Sequence, residues 1–185
     1  MTAPSRLTTP TRGDAAAAQA LGDGPVGRAL ARWYALFPVD ATFAGLHDHD
    51  DRLPDWSPDG LARAADELRA LRATLAPVEP PAPGATPHGV DRAVLDAALE
   101  VRAAELEGPH FHRGNPSLFA GEAVFSVIAL VTRDFAPAAE RAERLAARLG
   151  AIPRFLADAP RTIAGPIPAA WSARALRDAK GAAIF

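Results

Sequence analysis

Cysteine is absent from this chain, which excludes disulfides, thiolate nucleophiles and cysteine-ligated zinc and leaves the redox compartment open. Lysine is almost absent too. Of the 20 basic residues only Lys180 is a lysine, and the arginines alternate with acids along the chain without gathering into a patch. With a net charge of −2, that distribution excludes the electrostatic footprint of a nucleic-acid binder. Long apolar runs are missing: Ala123–Val131 falls far short of the roughly 18 residues that a bilayer span needs. Met1–Asp14 is followed by no leucine-rich segment that could serve as a secretory signal. The expectation is a cytoplasmic protein with neither nucleic acid nor membrane as partner. Gly22-Asp23-Gly24-Pro25 matches no phosphate-binding loop, and Ser117, Ser126 and Ser172 sit in no nucleophile elbow.

Alternating strand patterns with hairpin turns are absent as well, and apolar residues instead recur at spacings of three and four. The fold class predicted is all-α, a helical array or bundle. Residues 1–25 read as a weakly ordered tail and 26–185 as one helical domain. A first helix covers Val26–Phe37, with Leu30, Trp33, Tyr34 and Phe37 on one face, and Val39–Gly45 forms a short helical turn. Ser57-Pro58-Asp59 starts a helix over 58–76, because serine caps, proline suits the first position and aspartate complements the dipole. Prolines make 77–88 a linker. Helices follow over Val90–Leu106 and Ser117–Asp134. The latter is so apolar that burial on all sides is expected, with strand as the alternative for Val124–Val131. Pro137–Ala159 is amphipathic, carries a Glu140–Arg144 pair, and should kink or split at Pro153. Ala169–Phe185 is the last helix, and its apolar pattern runs into Ile184-Phe185 with no cap, so the chain is expected to be incomplete at this end.

Candidate sites are few. His47-Asp48-His49-Asp50-Asp51 has the residue types of a divalent-metal site, with His47, His49 and Asp50 as candidates. Its spacing fits no strong motif, so an exposed polar loop with Asp50 or Asp51 paired to Arg52 is the plainer expectation. His110-Phe111-His112 would place two imidazoles on one face of a strand as metal ligands, but between Pro109 and Gly114 in an all-α chain the plainer expectation is a loop with Phe111 inserted into the core. Glu122 is the only carboxylate in an apolar helix, beside a glycine that permits close approach of another backbone. It is either a channel-lining acid or a buried structural link to an arginine or to helix amides. Trp33, Trp56 and Trp171 read as packing anchors.

Three segments, Phe37–Pro54 (FPVDATFAGLHDHDDRLP), Asn115–Pro137 (NPSLFAGEAVFSVIALVTRDFAP) and Arg148–Leu156 (RLGAIPRFL), resemble the N-terminal portion of the bacterial domain-of-unknown-function 885 family. Trp171–Ala182 (WSARALRDAKGA) is similar too, although Ala179 and Lys180 stand where the family commonly has Cys or Glu. The resemblance implies a large, mostly helical, zinc-metallopeptidase-like protein with zinc as its cofactor and a peptide-like small substrate. The family's His-Glu motif lies downstream of the matched region, and no histidine here is followed by glutamate. No zinc ligand or catalytic base is therefore transferred to this chain. Its expected role is scaffold and channel wall, inactive alone, with the remainder of its own polypeptide as partner. A stand-alone helical interaction module that buries the Trp171–Phe185 face is the alternative, and a helical metal-binding domain the weaker third.

Overall fold

A computed structural model describes residues 21–75 and 87–183. Among the described residues there are seven helices and no strand. They are α1 (Pro25–Leu36), α2 (Pro38–Ala44), α3 (Pro58–Leu75), α4 (Pro87–Glu107), α5 (Pro116–Val131), α6 (Ala138–Thr162) and α7 (Ala169–Ala182). Residues 1–20 of the expected tail, most of the proline linker and Ile184-Phe185 lie outside the described residues. The linker's last two positions, Pro87 and His88, belong to α4.

Proline opens α1, α2, α3, α4 and α5, where its missing N–H would be unpaired in any case. Ser57 caps α3 as its sequence suggests: its Oγ accepts the Gly60 N–H at 3.1 Å. At α5 the cap is Asn115, whose side chain accepts the Ser117 N–H at 3.0 Å. The first turn of α5 therefore begins before Ser117.

The core is centred on an antiparallel pair. Leu61, Leu68 and Leu75 repeat every seventh residue on α3, and Leu99 and Leu106 do so on α4; all five are fully buried. Each such side chain contributes about 1.5–3 kcal/mol relative to exposure. Ion pairs fix the direction: Arg69 meets Glu107, Arg72 meets Asp96 and Glu100, and Arg92 donates to the Leu75 carbonyl. As one number rises the other falls, so the helices run opposite ways.

A second pair, α5 and α6, is antiparallel by the same test. Arg148 donates to the Ser126 carbonyl at 3.2 Å, and the Phe119 and Phe155 rings pack at 5.4 Å. Trp56, on the segment before α3, ties the two pairs together. Its ring lies 5.2 Å from Phe119 and 5.1 Å from Phe155, and its carbonyl accepts the Thr162 hydroxyl at 2.7 Å.

Three expectations need correction. First, α5 is helix rather than strand but is not buried on all sides: Phe125 and Val131 are more than half exposed. The neighbours α2, α6 and α7 do not surround it completely, so apolar composition overstated its burial. Second, α6 continues through Pro153, and through Pro160, to Thr162 without splitting. Proline removes one helical hydrogen bond there, while Arg148 and Phe155 on either side are both buried and hold the helix in place. Third, Gly121 is not a point of close approach, since a Cβ there would meet nothing within 4 Å.

Candidate functional site

Two groupings of polar side chains stand out. The first surrounds Asp50, and it overturns the expectation of an exposed loop. His49 and Asp50 are buried, as is Arg148. Oδ1 of Asp50 accepts the Thr42 hydroxyl at 2.6 Å and lies 3.8 Å from Nη2 of Arg148. Oδ2 lies 2.8 Å from Nδ1 of His47 and accepts from Nη1 of Arg144 at 3.2 Å. Arg148 in turn donates to Thr42 Oγ1 at 3.1 Å and to the His49 carbonyl at 2.9 Å. The His47 ring stacks on Phe135 at 3.6 Å. The expected pairing of Asp50 or Asp51 with Arg52 is replaced by a bond from Arg52 Nη2 to His49 Nδ1 at 2.9 Å. The physical reason is the arginine on α6: a buried guanidinium needs a carboxylate and carbonyls, and this loop supplies them. Burial lowers the Arg148 pKa, and the Asp50 carboxylate opposes that shift.

This cluster does not fit zinc. Arginine can only donate, so Nδ1 of His49 is an acceptor already in use. Both oxygens of Asp50 are engaged, and two guanidinium groups face it where a divalent cation would have to stand. Among the described residues no three His, Cys, Asp or Glu side chains come together to hold a metal ion. The cluster acts as a strut joining α2, the loop, α5 and α6.

The second grouping lines an open cleft of about 870 Å³ formed by α4, α5, α7 and the loop after α4. Trp56, Trp171, Phe125, His112, Glu122 and Gly121 are among its walls. Gly121 adds no side chain, and the space is open where its Cβ would be. Gly114, beyond His112, closes the loop tightly: a Cβ there would lie 1.9 Å from the Pro109 carbonyl oxygen. In that loop Phe111 is exposed and His112 is buried, the reverse of the insertion expected. His112 sits edge-on to Trp56 at 4.4 Å. Burial holds its pKa down at about 4, and the Arg102 and Arg113 charges add to that, so the ring is neutral near pH 7.

Glu122 lies in the same wall. It takes part in no hydrogen bond or ion pair with a described residue, so the expected link to an arginine or to helix amides is not there. Burial raises its pKa from the usual 4.5 to about 7. Asp40 pushes the same way, and the Arg102 and Arg148 charges only partly offset it. The other charged groups of the cleft are already satisfied. Arg102 donates to Asp40 at 2.9 Å and Glu105 at 3.4 Å, with its guanidinium 4.7 Å from the Phe37 ring centre, and Arg174 lies 3.5 Å from Asp178. A carboxyl that changes charge near neutrality, on the wall of an open cleft, can bind a cation or exchange a proton.

A bacterial protein family of unknown function, DUF885, has a model that matches residues 38–183, most of this chain. The chain belongs to the DUF885 family. No curated protein and no solved structure matches it. Both groupings lie within the span shared with the DUF885 family, the Asp50 strut near its start and the cleft from Trp56 to Ala182. No described helix is long and apolar enough to cross a membrane.

Sequence reading does not single out Arg148, and it takes Trp56 only as a packing anchor and His112 only as a loop residue or metal ligand. Only an arginine on the apolar side of α6 hinted at the first, at the register of Leu145 and Leu149. Trp171 is half-buried at the rim of the cleft rather than a core anchor, because α7 as a whole buries no residue completely.

Proposed function

We propose that this chain forms a helical wall of the substrate channel of a zinc-dependent, peptidase-like hydrolase and supplies none of its zinc ligands. The observation that supports this reading is the open cleft on α4, α5 and α7, whose walls combine tryptophans with Glu122, an acid that no described residue pairs. Its size is that of a small-molecule or peptide subsite. The strut around Asp50 is occupied by arginines, so zinc and the general base would come from a His-Glu segment elsewhere in the polypeptide. When bound there, zinc supplies a polarised water for attack on an amide carbonyl. This chain's own contribution is to position the substrate and exclude solvent along one side.

The test is peptide hydrolysis by this chain and by the polypeptide extended through the reading frame past Phe185. The extended protein is expected to be active with zinc and silenced by a chelator, and the chain alone to be inactive. A stop codon directly after Phe185, or hydrolysis by the chain alone, ends the proposal.

The interaction-module reading keeps one observation in its favour: α7 buries no residue fully, and Leu176 on it is exposed. Under that reading the isolated chain is a stable oligomer by size-exclusion chromatography with a well-formed near-UV circular dichroism spectrum. The channel-wall reading expects no such defined oligomer: the α7 face stays uncovered for the rest of the polypeptide, and the chain aggregates through it as its concentration rises.

A further inference from the structure

Among the charged groups of the cleft, one has no hydrogen-bonded or ion-paired counterpart among the described residues. Arg102 is shared between Asp40 and Glu105, Arg174 faces Asp178, and His112 is neutral, which leaves the Glu122 carboxylate. An ionised carboxylate in such surroundings is destabilised until something donates to it. The rest of the wall is mainly apolar and aromatic, with Trp56, Trp171, Phe111 and Phe125. Aromatic faces attract cations, tryptophan most strongly, and also accept an alkyl or aryl body. An anionic ligand gains little here, because both arginines already have carboxylate partners.

We propose that the cleft between α5 and α7 binds an organic ammonium ligand, a primary alkylammonium whose charge is taken by Glu122 and whose apolar body lies among the tryptophan and phenylalanine walls. This inference rests on the reading of the cleft as a ligand-facing surface and adds the chemical class of the ligand.

The test uses the full chain and two probes of the same shape, 4-phenylbutylamine and 4-phenylbutan-1-ol. Binding is followed by tryptophan fluorescence, since two of the three tryptophans line the cleft. At pH 8 the amine is expected to bind at least about tenfold more tightly than the alcohol, the size of one good charge-assisted contact. Glu122→Gln should remove that advantage and leave the alcohol unchanged. In the wild type the amine's affinity should fall about tenfold from pH 8 to pH 6, because ionisation of a carboxyl with a pKa near 7 falls from roughly nine-tenths to one-tenth, while a lysine-like amine stays protonated. The groups facing Glu122 are Asp40 from α2, Arg102 and Glu105 from α4, His112 from the loop, Arg148 from α6, and Arg174 and Asp178 from α7. His112 titrates near pH 4, so it is silent in this window. The pH series on the wild type and the comparison of probes decide the matter even if the variant folds poorly. Equal binding of amine and alcohol, unaffected by pH, overturns the inference and leaves the cleft a ligand surface. No saturable binding of either probe overturns the cleft reading as well.

Discussion

Glu122→Gln should make the protein more stable, and increasingly so as pH rises. The folded state holds this carboxyl at a pKa of about 7 against an ordinary 4.5. Between those values the folded protein carries a proton that the unfolded chain has lost. Stability therefore falls as pH rises through the window and levels off above pH 7, the reverse of an ion-paired acid. A change of that size corresponds to at most about 3 kcal/mol, and solvent reaching the cleft reduces it to about 1–2 kcal/mol. Glutamine keeps the shape and never ionises, so the variant escapes the loss. Urea denaturation of both proteins at half-unit steps from pH 4 to 8.5 gives the difference directly. Taking the difference matters, because His112 slopes the other way over nearly the same range and would hide the effect in the wild type alone. The variant should match the wild type at pH 4 and exceed it by about 1–2 kcal/mol at pH 8, or about 3–6 °C in Tm for a protein of this size. A difference that stays flat with pH refutes the reasoning, since the carboxyl would then meet the same environment folded and unfolded.

Three further perturbations follow from the same geometry. Asp50→Ala leaves Arg148 buried without its carboxylate and should cost about 3–5 kcal/mol, whereas Asp50→Leu with Arg148→Met should recover much of that loss. Additive losses in a double-mutant cycle would show that the two do not act together. His112→Asn should flatten the acid side of the stability curve: burial lowers the His112 pKa from 6.5 to about 4, so its neutral form supports the fold above pH 6.5 and that support is lost as pH falls towards 4. The Cε1 proton of His112 titrating near pH 6.5 by NMR would contradict this. Gly121→Ala should stabilise by about 0.5–1 kcal/mol, because it replaces a mid-helix glycine and its methyl meets open space. Gly121→Leu should keep the fold but weaken 4-phenylbutylamine binding, and unchanged binding would place the probe elsewhere.

The sequence alone was sufficient for the helices, because their signals are local. Ser57-Pro58 at the start of α3, the three-and-four spacing of Leu61, Leu68, Leu71 and Leu75, and the absence of alternating strands depend only on neighbouring residues. Family membership was legible for the same reason, in the wording of Phe37–Pro54 and Asn115–Pro137. Pairing was not. Asp50 is an ordinary loop aspartate until Arg148, far along the chain, arrives on α6 and buries it. Sequence reading favours a buried arginine link for Glu122 over an open wall, and only the placement of α7 and the prior engagement of Arg102 leave it facing the cleft. Composition and periodicity state which side chains share a helix face. Which buried charge finds a partner, and which is left facing a cleft, depends on contacts between residues distant in sequence, and those exist only once the helices have packed.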